Sequence, residues 1–118
     1  MKTILSYITE SKEHDKKIDE VTKEILSNIN YNSLDSKEKG KIDVACDLNQ
    51  IVKSEGDNED KFYDYVEDHW DNFNMIERYK DAIRDELGYY DWEDIKKIYF
   101  TMSKYFKQIK HNPDHKIK

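Results

Sequence analysis

The stretch DNEDKFYDYVEDHWDNFNMIERYKDAIRDELG, residues 57–88, contains no proline, and its single glycine is its last residue. At about 100° per residue, Phe62, Tyr65, Val66, His69, Trp70 and Phe73 fall in one arc, and Ile76, Tyr79, Ile83 and Leu87 prolong it. Asp57, Asp60, Asp64, Glu67, Asp68 and Asp71 gather in a second arc opposite. An apolar stripe facing a polar one is the pattern of a surface helix. The ends agree: Asp57 or Asn58 can cap the first amides, Glu59 and Asp60 sit at the positive end of the dipole, and Gly88 can take the left-handed stop. The pattern predicts one long central amphipathic helix over about 58–87. The polar run Asp71-Asn72-Phe73-Asn74 is where it would kink or divide into two.

The remaining chain also reads as helix. Ile4, Leu5 and Ile8 follow a capping Thr3, and Ile18, Val21, Ile25, Leu26 and Ile29 resume the pattern after a polar crossing. These segments are helices at about 3–11 and 13–29, or one fused helix. Asp35 with Glu38 makes a capping-box arrangement behind Leu34. It opens a helix that buries Ile42, Ala45, Cys46, Leu48, Ile51 and Val52 and ends near Ser54–Gly56, an antiparallel neighbour of the 58–87 helix. A last helix runs from a cap at Asp91 through Trp92, Ile95, Ile98, Tyr99, Met102, Phe106 and Ile109 to a stop at Pro113, leaving a flexible basic tail at 111–118. With 3 glycines, 1 proline and no Asn-Gly or Asp-Gly turn, an all-α class is favoured over β. The expectation is one domain, residues 1–118, folded as a single compact bundle of four to five helices.

Charge divides the chain into unlike parts. Residues 1–54 carry 9 Lys/Arg and 10 Asp/Glu, residues 55–94 carry 4 and 15, and residues 95–118 carry 7 and 1. The acidic middle works against nucleic acid as a direct ligand and favours a basic protein partner. The basic end can be drawn to the chain's own acidic helix. No run approaches the roughly 20 apolar residues of a membrane span, and the start is too short an apolar run for a signal peptide, so a cytoplasmic protein is expected. Eighteen lysines against two arginines, with 13 isoleucines, suit an AT-rich gene. The lone Cys46 excludes an internal disulfide and reads as a buried thiol.

The constellations of catalysis and metal binding are missing. None of His14, His69, His111 and His115 lies three residues after a Glu, and there is no His-Glu-x-x-His. His14-Asp15 resembles one element of the HD phosphohydrolases, but no histidine precedes it. Neither Arg78 nor Arg84 is followed by the histidine of a HEPN ribonuclease, and Asp57–Lys61 lacks the fifth ligand and central glycine of a calcium loop. We therefore expect no enzyme, no cofactor and no metal site.

What remains is the acidic arc. Six carboxylates from Asp57 to Asp71 span roughly 21 Å, on the order of 4 Å per charge, comparable to the phosphates of one nucleic-acid strand. Three of its pairs, Asp60/Asp64, Asp64/Asp68 and Glu67/Asp71, repel one another at i,i+4. The expected function is that of an inhibitor or binding protein, a nucleic-acid mimic whose residues Asp57, Asp60, Tyr63, Asp64, Glu67, Asp68 and Asp71 dock on a basic partner such as a nucleic-acid-handling enzyme. Small anti-restriction and anti-CRISPR proteins of phages and mobile elements share this profile in kind, as do toxin immunity proteins. The alternative is a small nucleic-acid-binding regulator working through Lys96, Lys97, Lys104, Lys107 and Lys110. The aromatic content also admits a homodimer.

Overall fold

Helix entry at Asp35 follows from the residues present: its side chain accepts from the Glu38 amide at 2.8 Å, and Leu34 packs back on the core. The computed structural model describes residues 4–112. Among these there is no strand. The elements are α1 (Ile4–Leu26), α2 (Ser36–Cys46), α3 (Leu48–Glu55), α4 (Glu59–Asp68), α5 (Trp70–Leu87) and α6 (Trp92–His111), with a 3-10 turn at Tyr31–Ser33. The all-α class holds. Thr3 as a cap, Pro113 as a stop and the tail from 113 onward lie outside the described residues.

Among the described residues there are six α-helices where four to five are expected, because two expected helices are each divided at one residue. Asp47, at φ −92° and ψ 3°, turns its amide to the Val44 carbonyl at 3.0 Å, an i→i−3 bond that tightens the backbone between α2 and α3. His69, at φ −120° and ψ 33°, does the same inside the stretch read as one helix over 58–87. Its amide is shared between the carbonyls of Tyr65 and Val66, both at 3.1 Å, and its ring Nδ1 lies 2.9 Å from the Tyr65 oxygen. The break falls just before the polar run Asp71–Asn74. At the N-terminal end, Asn58 rather than Asp57 supplies the cap, accepting from the Lys61 amide at 2.8 Å. Gly88 ends α5 in the left-handed conformation at φ 72°, its amide on the Arg84 carbonyl at 2.7 Å.

The centre of the bundle is α6 and not the 57–88 stretch. α6 packs against α1, α2, α3 and α5. It buries Ile95, Ile98, Tyr99, Met102, Ser103, Tyr105, Phe106 and Ile109, a band too wide for a single contact face. Phe62 and Val66 of α4, Phe73, Ile76 and Ile83 of α5, and Ile18 and Leu26 of α1 close around it. α3 packs on α4 and α2 on α5, so α2–α3 and α4–α5 run as the expected antiparallel pair. Cys46 is buried and free, its thiol pushed up by burial, and its carbonyl accepts from the buried Ser103 hydroxyl at 2.7 Å.

Candidate partner-binding surface

Helix α4 turns Phe62 and Val66 inward, which leaves its acidic arc outward. Asp57, Asp60, Asp64, Glu67, Asp68 and Asp71 are all exposed, and none forms an ion pair among the described residues. The break at His69 adds something the periodicity does not reveal. Trp70, expected in the apolar arc, is rotated out and is 52% exposed between Asp68 and Asp71. His69, expected at the boundary of the core, is also exposed and stacks on Tyr65 with ring centroids 4.2 Å apart. The surface thus pairs unneutralised carboxylates with an open indole, the residue type that most often anchors interfaces.

Tyr63 is placed differently from its sequence neighbours. It is half-buried: its hydroxyl accepts from Lys80 Nζ at 3.2 Å and lies 3.4 Å from the Tyr99 hydroxyl, and its ring lies 6.0 Å from Trp92. It belongs to a polar cluster inside the bundle, not to the acidic face.

The lysines of α6 contrast with the acids of α4. Lys97 pairs with Asp15 at 3.3 Å, Lys104 with Asp19 at 2.7 Å, Lys110 with Asp43 at 2.6 Å and Lys96 with Glu93 at 2.9 Å, while Lys107 is exposed and has no carboxylate among the described residues. The basic helix is thus drawn to acids of α1 and α2 and to its own first turn, not to the acidic helix. Burial pushes Asp19 up, but hydrogen bonds from Lys104 and Tyr105 and the charges of Lys104 and Lys23 outweigh it and hold the carboxyl below its ordinary value. A nucleic acid seated on α6 has to displace these carboxylates first.

The cluster around Tyr63 contains buried charges that hydrophobic periodicity alone does not show. Lys80 is 4% exposed and Glu77 7% exposed. Lys80 Nζ lies 2.8 Å from Asp81 and 3.5 Å from Glu77, and the Tyr99 hydroxyl donates to Glu77 at 2.5 Å. Burial pushes Glu77 above the usual carboxylate range, against the pull of Lys80 and the Tyr99 hydrogen bond. Burial also opposes the charge on Lys80, yet Glu77, Asp81 and Tyr63 outweigh it and hold the lysine above its ordinary value. One signal does stand in the sequence: Lys80 occupies the stripe position between Ile76 and Ile83 where an apolar residue belongs. The cluster ties α4, α5 and α6 together.

Among the described residues no group of three or more His, Cys, Asp or Glu could hold a metal ion, and no helix is long and apolar enough to cross a membrane. Comparison with protein-family models, curated proteins and solved structures finds no match for this chain.

Proposed function

We propose that this chain is a non-enzymatic, cytoplasmic binding protein whose α4 face docks on the basic, nucleic-acid-binding surface of a partner protein, as inhibitors carried by phages and mobile elements do. One observation carries the reading: the six carboxylates stand exposed and form no ion pair among the described residues, although most lysines of α6 are matched to acids of their own chain. The two i,i+4 repulsions that remain within α4, Asp60/Asp64 and Asp64/Asp68, cost a few tenths of a kcal/mol each, while the expected Glu67/Asp71 pair is divided by the break at His69. A basic partner relieves them on docking, and the density of charge steers its approach. Trp70, seated among Glu67, Asp68 and Asp71, supplies the apolar contact that charge alone lacks.

The test is capture from the host lysate at low and high salt, with an Asp60→Lys/Asp64→Lys/Asp68→Lys variant beside the wild type. Lysine keeps α4 a good helix former. The reading expects one basic, nucleic-acid-handling protein that elutes with salt and is absent with the variant. Recovery of the same proteins by both forms refutes it. If the protein recovered is a secreted nuclease toxin, the role is immunity; if it is a defence enzyme, the role is inhibition.

A further inference from the structure

Where α3 gives way to α4, the chain lines a cleft of about 510 Å³ with Val52, Lys53, Ser54, Gly56, Asp57, Lys61, Lys96 and Phe100. Its charge is opposite to that of the neighbouring face. Lysines of three helices line it, Lys53 of α3, Lys61 of α4 and Lys96 of α6, against the single carboxylate of Asp57. Lys61 is the only Lys or Arg between residues 54 and 77. It stands four residues after Asp57 and three before Asp64, at spacings that favour ion pairs on a helix, yet it pairs with neither. Lys53 is likewise exposed and free of any carboxylate among the described residues. Lys96 pairs with Glu93 at 2.9 Å and lies over the Trp92 ring at 5.9 Å, so the two lysines of the cleft left unpaired among the described residues are Lys53 and Lys61. The half-buried ring of Phe100, packed on the core, forms an aromatic wall.

From this arrangement we infer that the α3–α4–α6 cleft binds a phosphate-bearing aromatic ligand of nucleotide size, its phosphates against Lys53 and Lys61 and its ring against Phe100. Lysines are compact point charges that suit a multiply charged phosphate group. An aromatic side chain offers a stacking face to any base. The volume lies within the roughly 300–1,000 Å³ of small-molecule sites. The cleft is separate from the acidic arc apart from Asp57, so it stands or fails without the proposed partner.

The experiment titrates the isotopically labelled full chain with ATP, tripolyphosphate and adenosine while amide resonances are followed. ATP is expected to give saturable shifts confined to residues 53–61 and 96–100, and to bind more tightly than either of its parts. Lys53→Ala/Lys61→Ala weakens ATP binding about tenfold. The charge-matched control Lys37→Ala/Lys107→Ala, at exposed lysines elsewhere, stays within about twofold. Absence of saturable binding by ATP overturns the inference. So does equal loss in the control, which marks non-specific attraction, and so does tripolyphosphate binding as tightly as ATP, which leaves the aromatic wall without a role.

Discussion

Replacing Lys80 by methionine keeps the length and apolar volume of a buried stem and removes only its charge. In the wild type that charge lies 2.8 Å from Asp81, 3.5 Å from Glu77 and 3.2 Å from the Tyr63 hydroxyl, on a side chain with 5% of its surface exposed. The variant leaves the Glu77 carboxylate inside the bundle with the Tyr99 hydroxyl as its remaining donor. Removing one member of a buried pair costs about 3–5 kcal/mol, whereas removing both costs little, since each ion then sheds its desolvation penalty. Glu77 escapes part of the cost by taking up a proton, so about 3 kcal/mol is expected near pH 7 and less near pH 5. For a chain of this size that is a fall in Tm of about 10 °C. Glu77→Gln/Lys80→Met together should return to within about 1 kcal/mol of wild type. Urea unfolding followed by helical circular dichroism measures all three proteins. A loss below about 1 kcal/mol in the single variant, or a double variant as unstable as the single, refutes the claim that the pair is desolvated and coupled.

Two carboxylates give opposite acid limbs: the raised Glu77 contributes stability that is full below its ordinary pKa and is lost as pH rises through the folded value, whereas the lowered Asp19 contributes stability present above its ordinary pKa and lost as pH falls through the folded one. Glu77→Gln should therefore flatten the mildly acidic gain in urea-derived stability and leave the loss at lower pH intact. Burial and the neighbouring Glu77 push Tyr99 well above its ordinary value, so its contribution is present below about pH 10 and lost above it. Tyr99→Phe should make the alkaline limb shallower when unfolding is followed by circular dichroism. Asp35→Ala removes the α2 cap and should cost about 1 kcal/mol in the same urea assay.

Much of the fold is legible in the residues because local chemistry decides it. Asp35 before Glu38, Gly88 after Leu87 and the spacing from Ile95 to Ile109 each specify a local conformation: the Asp35 side chain takes the Glu38 amide, Gly88 takes the left-handed stop and α6 buries its stripe. The breaks at Asp47 and His69 carry no proline or glycine; each is a tightened turn of one residue, set by which carbonyl its amide reaches. Trp70, the first residue of α5 after the break at His69, stands off the stripe and is exposed. The 57–88 stretch and α6 show similar periodicity, and the wider buried band of α6 emerges only in the packing. For the candidate surface, exposure of the acids follows from the stripe, but the matching of Lys97, Lys104 and Lys110 to Asp15, Asp19 and Asp43 joins residues far apart in the chain and depends on the fold.

The most direct test of the docking proposal is competition on the captured partner: duplex nucleic acid is bound to it and displaced by increasing amounts of this protein, as wild type, as Asp60→Asn/Asp64→Asn/Asp68→Asn and as Trp70→Ala. The account predicts displacement by the wild type, weakening with salt, at least about tenfold poorer for the neutralised form and clearly poorer for Trp70→Ala, with helicity unchanged in both. Displacement undiminished by the three neutral substitutions, or a ternary complex in which nucleic acid stays bound, contradicts it.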